Sequence, residues 1–177
     1  MKDQTWRRGF YFWVAAAVVA LDQLAKALVD RYMDLHESHT IVEGLARLTY
    51  VQNRGAAFGI LSDADLPYQS LLFSFISILA LGAIAVYAWK LPIASRLPQM
   101  ALALIMGGAV GNLIDRMRLG YVIDYVDVYW GRHHWPAFNV ADSAISIGVT
   151  LLVLDILKNP QAETEAEMTP TTATQGE

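Results

Sequence analysis

Long apolar blocks dominate the chain, and the segments between them follow a different pattern. Phe10–Val29, Tyr68–Trp89, Gln99–Met117 and Phe138–Leu157 each approach the roughly 20 residues that cross a hydrocarbon core as a helix. Between the first two blocks, Ile41-Val42-Glu43-Gly44-Leu45-Ala46-Arg47-Leu48-Thr49-Tyr50-Val51 is rich in β-branched and aromatic residues, which predicts short strands. Gln52-Asn53-Arg54-Gly55 then reads as a turn. Before the fourth block, Tyr121–Trp130 alternates bulky and acidic positions and is also strand-like. Lys90–Pro98, with two prolines, reads as a plain connector, and no internal repeat is visible. The expected architecture is an all-α membrane protein: four transmembrane helices with a small extracytoplasmic β-rich platform.

Composition supports this. Of 177 residues, 55% are hydrophobic and 17% charged, too few charges for a soluble surface over so much apolar sequence. The length suits one domain, over 1–158. Residues 159–177 are rich in Thr, Glu and Pro, hold Glu163, Glu165, Glu167 and Glu177, and read as a disordered cytoplasmic tail. That tail supplies much of the net charge of −4, so the charge says little about the membrane part. Basic residues are scattered, which argues against nucleic acid as a partner. With no cysteine, disulfides, thiolate catalysis, Cys-bound metals and cysteine-linked lipid anchors on this chain are excluded.

Lys2, Arg7 and Arg8 before Phe10–Leu21 have the outline of a secretory signal, but the block runs on past Asp22 and Lys26 to Val29. A retained signal anchor is expected. Lys2, Arg7, Arg8, Lys90, Arg96 and Lys158 fall on one side of a four-span chain. Arg31, Arg47, Arg54, Arg118 and Arg132 are spread over the longer loops opposite. Their density predicts both termini in the cytoplasm.

With that orientation the costly polar residues gather at one depth. Asp22 and Lys26 lie in the outer part of the first span, and Asn112, Asp115 and Arg116 at the outer end of the third. Asp142 lies roughly 6 Å into the fourth at 1.5 Å per residue. Asn53, Asp124 and Asn139 approach from the outer loops. Charged groups at membrane depth are expensive and usually functional. Asp124 and Asp142 together could form a catalytic dyad, in which one ionised carboxylate takes a proton from water and the other polarises a carbonyl. Two like charges that close do not both ionise cheaply, so such a pair shares a proton. The plainer alternative makes each a cap beside the membrane surface.

Asp127 competes with Asp124 for that role, although a loop carboxylate there is expected to be solvated. Arg116, four residues from Asn112 on one helix face, could hold a peptide carbonyl or form a bundle salt bridge to Asp115 or Asp22. Asp22 and Lys26 have the spacing of an ion pair, and Gly107 with Gly111 that of a helix-packing step. Asn53 could offer its amide to a substrate or simply make a turn. Ser70, Ser74 and Ser77 form a stripe expected to hydrogen-bond between helices. Ser143 has no Lys or His placed to activate it. His36, His39, His133 and His134 are loop residues with no reason to converge, so no metal site is expected.

Five ordered pieces resemble the bacterial lipoprotein signal peptidases, the signal peptidase II family of aspartic peptidases. They are Asp22-Gln23-Leu24-Ala25-Lys26; Asn53-Arg54-Gly55-Ala56-Ala57-Phe58; Gly107-Gly108-Ala109-Val110-Gly111-Asn112-Leu113-Ile114-Asp115-Arg116; Val122-Ile123-Asp124-Tyr125; and Phe138-Asn139-Val140-Ala141-Asp142-Ser143. The resemblance covers about residues 10–158. It implies a membrane endopeptidase that removes the signal peptide of a prolipoprotein, cutting before a diacylglyceryl-modified cysteine at the outer face of the bacterial inner membrane. It assigns catalysis to Asp124 and Asp142 and substrate binding to Asn53, Asn112, Arg116 and Asn139. Asp22 and Lys26 become a site-supporting pair, and Asp115 beside them is taken with it. It also implies no metal or organic cofactor, inhibition by the cyclic peptide globomycin, and a part for Phe58 in closing the site. Rival readings are a small proton- or ion-conducting protein and a non-catalytic membrane scaffold.

Overall fold

A computed structural model describes residues 2–55, 68–92 and 95–158. The element order is α1 (Lys2–Tyr32), β1 (Ser38–Val42), β2 (Ala46–Asn53), α2 (Gln69–Lys90), α3 (Arg96–Leu119), β3 (Val122–Trp130), β4 (His133–His134) and α4 (Val140–Lys158). All four helices are long and apolar enough to cross a membrane. The expected tail and Phe58 lie outside the described residues. The expected connector before α3 is shorter than Lys90–Pro98, because the helix begins at Arg96 and takes Pro98 into its first turn, where a missing N–H costs nothing.

The bundle is built for lipid. In α2 the only buried residues are the polar Gln69 and Ser74, while Leu71, Leu72, Phe75, Ile78, Leu79 and Trp89 are exposed. In water that arrangement would be inside out; in hydrocarbon it puts apolar surface where the solvent is apolar. α3 is the central helix: α1, α2 and α4 all pack on it, and α1 also touches α4. Small residues permit this. A Cβ on Gly107 would lie 2.8 Å from Ala15 O, and one on Gly111 2.6 Å from the Asp22 carboxylate. Gly108, which the Gly107–Gly111 spacing does not single out, is seated directly on the Ala141 carbonyl of α4. Gly148 of α4 approaches α3 as closely: a Cβ there would lie 2.6 Å from Ala101 O. Close backbone approach replaces the hydrophobic drive that helices lack inside a membrane.

At one end of the bundle the four strands form an antiparallel sheet in the order β1-β2-β3-β4. Tyr50, Ile123 and Tyr125 bury their side chains against Val29 of α1, which ties sheet to bundle. The β2–β3 register contains one irregularity. Leu48 pairs with Val126 and Val51 with Asp124, so three steps on β2 match two on β3. The N–H groups of Tyr125 and Val126 both donate to Phe138 O, at 3.1 and 2.8 Å. A bulge of this kind shifts the side-chain alternation by one. Asp124 and Asp127, three apart and so due on opposite faces, consequently border the same cleft.

Candidate active site

Asn139 organises the site. It caps α4: its Oδ1 accepts from the Asp142 N–H at 2.9 Å, while its own N–H donates to Asp142 Oδ2 at 3.3 Å. This is a reciprocal capping box with an acid three residues into the helix. Asn139 Nδ2 also donates to Asp124 Oδ1 at 2.7 Å, so one residue touches both carboxylates. Asn53, at the end of β2, donates Nδ2 to Asp124 Oδ2 at 2.9 Å, and its Oδ1 accepts the Gly55 N–H at 2.9 Å. The turn and amide roles of Asn53 therefore coexist. Asn112 donates Nδ2 to Asp142 Oδ1 at 2.8 Å.

Each carboxylate is thus held by asparagine amides, which fix its direction without neutralising it. Asp124 is 2% exposed. Burial, and then the charge of Asp142, push its carboxyl up to about 7, against the opposing hydrogen bonds from Asn53 and Asn139. That keeps a proton available near neutral pH.

Beneath this layer lies a buried ionic network. Lys26 Nζ donates to Asp22 Oδ2, Asp115 Oδ2 and Asn112 Oδ1, each at 2.8 Å, which uses all three of its protons. Asp22 Oδ1 accepts the Ala141 N–H at 2.9 Å, so a carboxylate of α1 caps the first turn of α4. Asp115 Oδ2 accepts the Ile123 N–H at 3.2 Å and so fixes the start of β3. Gln23 Nε2 donates to Asp115 Oδ1 at 2.9 Å and Gly111 O at 3.2 Å. Sequence reasoning gave Gln23 no role; its amide beside Asp22 within an apolar block was the available signal. Such a network is stable when every member is partnered and costly when one is removed.

Arg116 does not make the bundle salt bridge to Asp115 or Asp22 that its position allowed, because Lys26 holds both. Its Nη2 donates instead to Gly55 O at 3.1 Å, and its guanidinium lies 5.9 Å from the Phe73 ring centre. Its Nε is buried with no hydrogen-bond partner among the described residues. The serine stripe also differs from expectation. Ser74 and Ser77 bond back to Ser70 O and Phe73 O within α2, at 2.7 and 2.8 Å. Only Ser70 reaches another helix, at Arg116 O, 3.5 Å away. Asp127, expected to be solvated, is 5% exposed and accepts from Arg47 Nε at 2.6 Å. His134 lies on that same carboxylate.

Two cavities meet at these residues. One, of about 180 Å³, lies between α2 and α4 over α3 and is lined by Asn53, Phe73, Asn112, Arg116 and Asp142 among others. The other, of about 370 Å³, lies over the sheet and is lined by Arg47, Asn53, Asp124, Asp127, His134 and Trp135 among others.

A four-helix membrane protein with two carboxylates, one buried and one half-buried, joined through one asparagine at the sheet end is the class that fold and site define. Comparison with known proteins makes this specific. Residues 14–158 match the family described as Signal peptidase (SPase) II. The lipoprotein signal peptidase of Geobacter sulfurreducens is 53% identical over 145 residues, covering 82% of this chain and 89% of the relative. That of Geobacter metallireducens is 49% identical over 152 residues, covering 86% and 93%. A solved bacterial membrane enzyme, determined by the in meso method at 2.3 Å resolution, superposes with a TM-score of 0.77 at 30% identity. The match covers 96% of this chain and 95% of that one. The chain belongs to the signal peptidase II family of aspartic peptidases.

Proposed function

We propose that Asp124 and Asp142 are the catalytic pair with which this chain removes the signal peptide of a prolipoprotein, cutting before a diacylglyceryl-modified cysteine. The observation that carries this reading is Asn139, which hydrogen-bonds both carboxylates in a chain that belongs to this family. Asp142, ionised at the first turn of α4, takes a proton from a water molecule as its oxygen attacks the scissile carbonyl carbon. Asp124 gives its proton to the carbonyl oxygen, forming a neutral tetrahedral diol. As the diol collapses, one hydroxyl returns its proton to Asp124, and Asp142 passes the proton it took from water to the cysteine nitrogen. The C–N bond breaks, and the new carboxyl gives its remaining proton to the freed amine. The products are a signal peptide ending in a carboxylate and a mature chain beginning with the lipidated cysteine, and the pair is again singly protonated.

Asn53, Asn112 and Asn139 hold the carboxylates in attacking geometry; Asn53 and Asn112 also border the space the substrate occupies, whereas Asn139 is fully buried and acts through the carboxylates it holds. The unused Nε of Arg116 is a donor available to a substrate carbonyl beside the cut. The cavity of about 180 Å³ between α2 and α4 has room for a side chain of the signal peptide next to the cut, and a globomycin-type cyclic peptide would compete for the same space. Asp22, Lys26 and Asp115 support the site by fixing the starts of α4 and β3. We place the enzyme in the bacterial inner membrane with both termini cytoplasmic and the sheet outside, where a lipidated cysteine would lie. An ion conductor is disfavoured, because the buried charges Asp22, Lys26 and Asp115 are paired with one another at the sheet end and, among the described residues, do not continue along the spans.

The test is cleavage of a diacylglyceryl-modified prolipoprotein by the purified protein. Asp124→Asn and Asp142→Asn should each lower turnover by a factor on the order of 10³ or more, while both variants stay inserted and folded. Near-normal turnover by either would remove that residue from the chemistry.

A further inference from the structure

Arg47, Asp127 and His134 are a charged cluster that the proposed chemistry leaves unused. Arg47 and Asp127 are direct cross-strand partners on β2 and β3. Arg47 Nε donates to Asp127 Oδ2 at 2.6 Å, and His134 Nδ1 lies 3.0 and 3.1 Å from the two Asp127 oxygens. That contact requires a proton on Nδ1. Tyr129 completes the group: the His134 ring stacks on it at 5.2 Å, and the Arg47 guanidinium lies 5.6 Å from its centre. Exposed surface pairs are weak, but here the carboxylate is buried and both partners are immobilised on an aromatic ring.

The cluster lies in the cleft that Asp124 borders. The floor is Arg47, Thr49, Val51 and Asn53 of β2, and the far wall is the segment from His134 to Ala137. That segment leads through Phe138 to Asn139. Its position against the floor is held at one end by the Asp127–His134 contact and at the other by the Phe138 bonds to the β3 bulge. The two cavities meet at Asn53, one bordered by Asp142 and the other by Asp124, so with the signal-peptide side of the cut between α2 and α4 the sheet cleft is the adjoining space for the chain beyond it.

We propose that Arg47, Asp127 and His134 are positioning residues that set the width of this cleft for the extended peptide following the cleaved bond. They act on substrate binding on the mature side and not on the chemical step. The proposal rests on the peptidase reading above and adds to it the side of the substrate that the sheet recognises.

The experiment compares two diacylglyceryl-modified substrates with the same signal peptide, one with a mature segment of several residues and one amidated directly after the cysteine. Purified Arg47→Ala and Asp127→Asn should raise KM for the long substrate about tenfold, the worth of one good polar contact, with kcat changed by less than about twofold. KM for the short substrate should stay at the parental value, and Arg47→Lys should recover most of the loss on the long one. Equal losses on both substrates, or a fall confined to kcat, would make the cluster a staple of the fold and overturn the proposal. So would parental KM on both. Arg47 is partly exposed, so Arg47→Ala decides the matter if Asp127→Asn does not fold. A parental protein that cleaves neither substrate would instead sink the peptidase reading itself.

Discussion

Asp124 is a carboxyl group whose folded environment favours the protonated form, and this has consequences for both activity and stability. The folded protein retains the proton up to about pH 7, whereas the ordinary value is 3.8. Between those values the folded state binds more protons than the unfolded chain, so stability falls as pH rises through that range and levels off above it. The contribution is fully present below pH 4 and lost above about pH 7. Asp124→Asn cannot ionise, so although its amide displaces one of the bonds from Asn53 or Asn139 at every pH, its melting should not show the parent's fall between pH 4 and pH 8. Thermal melts in detergent across that range check this, and a parent whose melting is independent of pH would contradict it. Cleavage by the parent should decline above about pH 7 as the same proton is lost. Arg116 makes a second test at this scale. Arg116→Lys keeps the charge but loses the fork that bonds Gly55 O while leaving Nε for a substrate. Cleavage should fall at least about tenfold, and by more than any change in melting accounts for. A sharp loss of stability with normal turnover by the surviving folded protein would make Arg116 structural.

Much of the element-level design was legible in the chain, for a physical reason. In a membrane, polar side chains within apolar blocks are conspicuous, so Asp22, Lys26, Asn112, Asp115, Arg116 and Asp142 stood out individually. Their joining through Lys26, Asn112 and Asn139 depends on how helices rotate about one another, and no spacing rule gives that. Asp127 was misread as solvated because an outer-loop carboxylate ordinarily is, whereas the β3 bulge, which arises from pairing with Phe138 eleven residues on, turns it into the cleft against Arg47. The serine stripe was misread because hydroxyls on an apolar helix satisfy themselves on the preceding turn before they reach a neighbour. Gly108 was overlooked beside the Gly107–Gly111 step, yet it bears the α3–α4 contact. A methyl there would meet the Ala141 carbonyl, which is backbone and cannot rotate away. Gly108→Ala should therefore cost about 1–3 kcal/mol by overpacking, which outweighs the roughly 0.5–1 kcal/mol that alanine gains over glycine in a helix. It should also lower cleavage, because Ala141 adjoins Asp142. Gly82→Ala on α2 meets nothing within 4 Å and should leave melting and cleavage unchanged or slightly improved. If both variants melted alike, the close seat of α3 on α4 would be refuted.

For the molecule as a whole, the proposed chemistry requires that sheet and carboxylates face outward. The substrate's lipidated cysteine lies at the outer leaflet in this reading, and the paired aspartates are fixed to the sheet through Asn53 and Asn139. Orientation therefore decides whether enzyme and substrate can meet at all. The chain contains no cysteine, so a single introduced thiol reports one position without interference. Trp130, at the end of β3, is 84% exposed and lies among no site residues, which makes Trp130→Cys a suitable outer reporter. Lys90→Cys and Lys158→Cys, at the ends of α2 and α4 remote from the sheet, report the opposite side. In spheroplasts a membrane-impermeant maleimide should modify Trp130→Cys readily and leave the other two unmodified until the membrane is lysed. Each variant should still cleave prolipoprotein, so labelling refers to active enzyme. The reverse pattern would place the carboxylates in the cytoplasm, on the wrong side of the bilayer for a lipidated cysteine at the outer surface, and the orientation inferred from the density of basic residues would fall with it.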